Sequence, residues 1–97
     1  MAAYMIVFAD IHDRDRFIAE YGAPAGALVK EYGGEYVVRA PGVTTLEGAL
    51  FEGASAVISR WPDRAAIEAF WNSDAYRKLK AARAPLADCH VMVVEAP

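Results

Sequence analysis

The amino-acid sequence predicts one α+β domain of order β-α-β-β-α-β, an antiparallel sheet carrying its helices on a single face. Three observations lead there. Short apolar runs rich in strand formers stand at both ends and in the middle of the chain. Between them, apolar residues recur at helical steps of three, four and seven. Capping and breaking residues punctuate the joins. At 97 residues there is room for one core, so residues 1–97 form a single domain.

Residues 3–9, AYMIVFA, read as the first strand. Asp10 to Asp13 supply turn chemistry, with Asp13 as the helix cap. From Arg14 to Tyr32 one helical face is apolar, at Phe17, Ile18, Tyr21, Ala25, Leu28, Val29 and Tyr32. Pro24 removes a backbone donor, so a kink or two shorter helices are expected there. Gly33-Gly34 stops the helix, because glycine accepts the left-handed conformation at low cost. EYVVRA is the second strand, PGVTT turns, and LEGA is expected to resume an extended path. ASAVISRW is the third strand, ended by Pro62. Asp63 caps DRAAIEAFW, Ser73 caps DAYRKLKAAR, and DCHVMVVEA closes the chain as the last strand.

This is the ferredoxin-like split βαβ order. A sheet with one face in water should alternate apolar and polar residues. Here Tyr4, Ile6 and Phe8 oppose Met5, Val7 and Ala9, and Val91 and Val93 oppose Met92 and Val94. Both faces are apolar, and helices cover only one. The other calls for a second copy of the chain, packed sheet to sheet in a two-fold homodimer that forms an α/β barrel.

Composition excludes several classes of function. Hydrophobic residues make up 56% of the chain and charged residues 24%, a globular balance. Net charge is −3 and the ten basic residues are scattered, which argues against nucleic acid as a partner. No run approaches the about 18 apolar residues of a membrane span, and the N-terminus lacks a basic n-region. One cysteine, Cys89, fits a reducing compartment, so the cytoplasm is the default expectation. There is no phosphate loop, dinucleotide fingerprint or clustered metal-ligand motif, so no cofactor and no metal are expected. Cys89 and His90 are adjacent in a strand and point to opposite faces, which disfavours a catalytic pair.

Phe17 and Tyr21 in the first helix are followed by YGGEYVVRAPG, LEG, FWNSDAYRKLKAAR and VMVVE. Over nearly the whole chain this resembles the domain of unknown function 1330 family. The resemblance implies the dimeric α/β barrel superfamily, whose members include cofactor-free monooxygenases, isomerases, haem-binding enzymes and ligand-sensing domains.

The polar residues define a candidate pocket between sheet and helices. Arg39, placed by simple alternation on the face of Val37, offers a planar fork of donors to an anionic ligand, or pairs with Glu47 across the Pro41-Gly42 turn. Glu47 is a candidate general base if buried, and otherwise a turn residue. Tyr76 and Arg83, seven residues apart, share a helical face; Tyr76 is a second candidate for handling protons. Tyr21, Trp61 and Arg83 join Arg39 as candidate ligand contacts, Trp61 as an apolar wall or a packing residue. The expected function is binding of a small organic molecule, with cofactor-free proton transfer, isomerisation or oxygenation as the chemistry. The competing expectation is a non-catalytic interaction domain whose polar groups hold the dimer together.

Overall fold

The computed structural model describes all residues from Met1 to Pro97. Strand β1 (Ala2–Ile11) leads into a helical rod of three parts: α1 (Arg14–Phe17), a π-helical turn (Ile18–Gly22) and α2 (Ala23–Glu31). Strands β2 (Glu35–Ala40) and β3 (Ser55–Trp61) follow, then α3 (Arg64–Trp71), α4 (Asp74–Arg83) and β4 (Ala87–Ala96). The sheet order is β2-β3-β1-β4 and every pair is antiparallel. This is the ferredoxin-like arrangement expected from the element order. No helix is long and apolar enough to cross a membrane.

Local chemistry explains the boundaries. Asp13 accepts from the Arg16 amide at 3.2 Å, Asp63 from Ala66 at 2.8 Å and Ser73 from Tyr76 at 3.1 Å, so the three predicted caps satisfy three otherwise orphaned donors. At the end of α2, Gly33 takes φ +95°, its amide donates to Lys30 and the Gly34 amide donates to Val29. That is the paired closure of a Schellman motif. Gly34 is needed for a second reason. A Cβ there would stand 2.7 Å from Trp61 Cε2 and 2.8 Å from Val29 Cγ1.

The interruption expected near Pro24 is a π turn that divides the rod into two shorter helices, α1 and α2. Pro24 has no N–H for the carbonyl four residues back, and the turn ahead of it widens so that the Ala23 amide bonds Ile18. LEGA does not extend into a strand. Val43 pairs with Gly53 and Ala54 (Val43 N to Ala54 O, 2.8 Å; Gly53 N to Val43 O, 2.9 Å). The intervening segment is pushed outward as a loop, closed by the Thr45 amide donating to Glu52 Oε2 at 2.6 Å.

The core lies between the helices and the inner sheet face, around Ala3, Met5, Val29, Trp61, Phe70 and Tyr76. On the outer face, register brings Ile6 opposite both Ile58 and Met92, and Tyr4 opposite Val94. Val38, Met92 and Val94 remain 39%, 38% and 46% exposed, so within one chain this apolar face is uncovered. Phe51, in the left-handed backbone region at φ 65°, lays its ring flat on Phe8 with centroids 4.3 Å apart and extends that face.

Candidate functional site

Inside the fold a cavity of ≈ 110 Å³ separates the inner sheet face from the rod of α1 and α2. Its walls are mostly apolar, from Met5, Val7, Ala25 and Val29 among others, with Tyr21, Tyr36 and Cys89 as polar-tipped members. It leads to a mouth of ≈ 290 Å³ at the sheet end where β1 and β2 finish and β3 begins. Arg39, Ser55, Val57, Ile11 and Phe17 line both cavity and mouth, so the two adjoin. A larger depression of ≈ 570 Å³ lies at the sheet's other end, but it is an open trough with Lys30, Glu35 and Arg60 on its rim.

Arg39 reaches this site through an irregularity the sequence does not announce. Pairing of β2 with β3 shifts between Tyr36 and Val38, leaving Val37 as the extra residue of a bulge. The bulge turns Arg39 onto the inner face with Tyr36, not onto the face of Val37 as plain alternation predicts. Its guanidinium then sits 4.9 Å from the centre of the Tyr36 ring. The expected pair with Glu47 is not formed. No carboxylate lies within 4.0 Å of Arg39, and Glu47 is exposed on the loop away from the cavity lining. The physical reason is the closure at Val43, which returns the chain to the sheet at Ala54 and leaves Glu47 outside it.

Tyr21 does line the cavity, and behind it stand Tyr76 and Arg83. The Tyr21 and Tyr76 hydroxyls are 2.8 Å apart. Arg83 donates to the Tyr76 hydroxyl at 3.5 Å and lies 5.4 Å from the centre of the Tyr21 ring. Arg83 is 8% exposed and Tyr76 2%. A guanidinium this buried without a carboxylate is unusual, since buried charges are ordinarily paired. Tyr36 and Cys89 are pushed up in pKa by burial, with Arg39 and Arg83 respectively opposing the shift. Tyr21 is pushed up strongly, first by burial and then by its neighbour Tyr76. Trp61 belongs to the core: it is 1% exposed, outside the cavity lining, and donates from Nε1 to Ser59.

These shifts fix the sign of a pH effect. Above about pH 10 the unfolded chain releases phenol protons that the folded chain still holds, so stability falls as pH rises. The slope for Tyr21 should approach about 1.4 kcal/mol per pH unit. Urea midpoints of the wild type and Tyr21→Phe between pH 8 and 11 check this, and the variant should show the shallower decline.

Sequence reading missed Arg14 and Ser55, which meet at the mouth with Arg14 Nη2 3.1 Å from Ser55 Oγ. In the sequence Arg14 is only the residue that follows the Asp13 cap. In the turn between Asp10 and Asp13, His12 Nε2 is 3.1 Å from Asp88 Oδ2 with Asp10 alongside, all three exposed. Cys89 faces the cavity while His90 packs against Phe51 on the opposite face, as adjacent strand positions require.

Fold and cavity together define a ferredoxin-like α+β domain with an enclosed site between sheet and helices. The chain belongs to the domain of unknown function 1330 family, whose profile matches residues 2–97. No functionally curated protein matches it by sequence. Among solved structures it is similar to a protein of unknown function from Rhodopseudomonas palustris, with 18% identity, a TM-score of 0.79, and coverage of 99% of this chain and 82% of that one. It is also similar to a dimeric ferredoxin-like protein of unknown function from a Jannaschia species (16% identity, TM-score 0.76, 99% and 100% coverage). A third similar structure is SnoaB, a cofactor-independent oxygenase from Streptomyces nogalater (15% identity, TM-score 0.70, 99% and 93% coverage). At these identities the likeness establishes the fold.

Proposed function

We propose that this domain works as a two-fold homodimer that binds a small organic molecule in the inner cavity of each subunit. The observation that carries the reading is the cavity itself: ≈ 110 Å³ of apolar space left open beside Tyr21 and Arg39 in an otherwise packed core. Protein interiors leave few such voids, and a concave apolar site with a few converging polar groups is the usual form of a ligand site. The outer sheet face supports the dimer, and one structural neighbour is described as dimeric. Any chemistry would run on the ligand's own reactivity, as in the cofactor-free proton transfers, isomerisations and oxygenations. The Tyr21–Tyr76 pair would supply the hydroxyl contact in place of Glu47, and SnoaB offers a precedent on the same fold.

The test is the shift in melting temperature caused by isovalerate and by its amide. A probe at 100 times its dissociation constant adds about 2.7 kcal/mol. Ala25→Leu, which fills the cavity from α2, should abolish that shift while leaving the protein folded. Absence of any shift, or a shift that survives Ala25→Leu, overturns the reading.

A further inference from the structure

The mouth of the cavity carries an uncompensated charge. Two of the helix arginines sit beside a glutamate one turn away, Arg16 at 2.7 Å from Glu20 and Arg64 at 2.9 Å from Glu68, whereas Arg77 and Arg83 on α4 have no such partner. Arg14 and Arg39 both line the mouth, and neither has a carboxylate within 4.0 Å. No acidic residue lines either the mouth or the cavity behind it. Both cations are held in place without an anion. Arg14 donates to Ser55, which is itself buried and donates to the Pro41 carbonyl at 3.2 Å, and Arg39 stacks on Tyr36. The unpaired Arg83 behind Tyr21 adds to the positive potential. Two like charges at one opening repel, and that repulsion is relieved when an anion sits between them. A guanidinium oriented in advance loses less freedom on binding, which favours a planar oxyanion.

We propose that Arg14 and Arg39 bind the carboxylate of a short-chain acid whose branched or small cyclic tail enters the cavity. This rests on the cavity being the ligand site and adds the class of ligand. A carboxylate offers one oxygen to each guanidinium while keeping a single charge next to apolar walls. Size limits the tail. A cavity of about 150 Å³ accepts benzene, so ≈ 110 Å³ holds a tail of about four or five carbons without rearrangement.

The experiment measures binding of isovalerate, isovaleramide and inorganic phosphate by calorimetry to the wild type, Arg14→Met and Arg39→Met. Both arginines are exposed, so both variants should fold, which circular dichroism and the ligand-free melting temperature confirm. The expected result is that isovalerate binds at least tenfold tighter than its amide. Each variant should lose about tenfold or more for the acid, with little change for the amide. Wild-type affinity for the acid should fall as salt is raised. Equal binding of acid and amide, or variants that bind isovalerate like the wild type, overturns the carboxylate assignment and leaves the cavity reading standing. Phosphate binding as tightly as isovalerate overturns the role of the tail. If neither acid nor amide binds the wild type, the cavity reading falls as well.

Discussion

Trp61→Ala is expected to remove about 3–5 kcal/mol of stability, a large share of the 5–15 kcal/mol available to a domain of this kind. Trp61 ends β3 with its side chain 1% exposed. Its ring meets Phe70 at a centroid distance of 5.2 Å and lies against the α2–β2 corner, where Gly34 has no Cβ to hold it off. Alanine would lose those contacts and leave a void that a rigid sheet cannot collapse to fill. It would also orphan the Ser59 hydroxyl, which accepts from Trp61 Nε1 at 2.9 Å. Trp61→Phe separates the two effects, keeping most of the packing and losing the hydrogen bond, and should cost clearly less. Urea denaturation of both variants gives the comparison. A loss under about 1 kcal/mol for the alanine variant would mean that the corner is not tightly packed.

How far the sequence exposes this structure depends on how local each feature is. Caps at Asp13, Asp63 and Ser73 and the stop at Gly33-Gly34 each depend on one or two neighbouring residues, and all were legible. Pro24 announced an irregularity but not its kind, because a kink and a π turn answer the same missing donor. The bulge at Val37 had no local signal, since EYVVRA alternates equally well with or without an extra residue. Arg39 is therefore legible as a guanidinium at a strand end, open to a ligand or to Glu47, but neither its inner face nor the absence of the Glu47 pair is. Arg14 and Ser55 are 41 residues apart and meet only through the fold, so no spacing rule could join them. Tyr76 and Arg83 were legible as a helical pair, while the approach of Tyr21 to Tyr76 across 55 residues was not.

Met92→Lys is expected to weaken assembly about 10⁴- to 10⁷-fold and little else, if two copies of the chain pack through their outer sheet faces. Met92 lies on edge strand β4, opposite Ile6 in register, and is 38% exposed in the single chain. A lysine there can snorkel to water in an isolated subunit, so its cost to folding should stay within about 0.5 kcal/mol. In a face-to-face dimer the same ammonium loses that water, and two-fold symmetry repeats the loss on the other subunit. An unpaired buried charge costs about 3–5 kcal/mol, which sets the expected weakening. A charge reversal on the helical side, Lys78→Glu, is the control, because that exposed residue lies across the sheet from the proposed interface. Sedimentation equilibrium at micromolar concentration distinguishes the outcomes. The wild type and Lys78→Glu should run as dimers and Met92→Lys as a folded monomer. A wild-type monomer would show that the outer face stands open in solution, with Val38, Met92 and Val94 as exposed as they are in one chain. A Met92→Lys dimer as tight as the wild type would place the contact elsewhere. The exposed loop would then be the next surface to alter, since Leu46 is 98% and Leu50 75% exposed there.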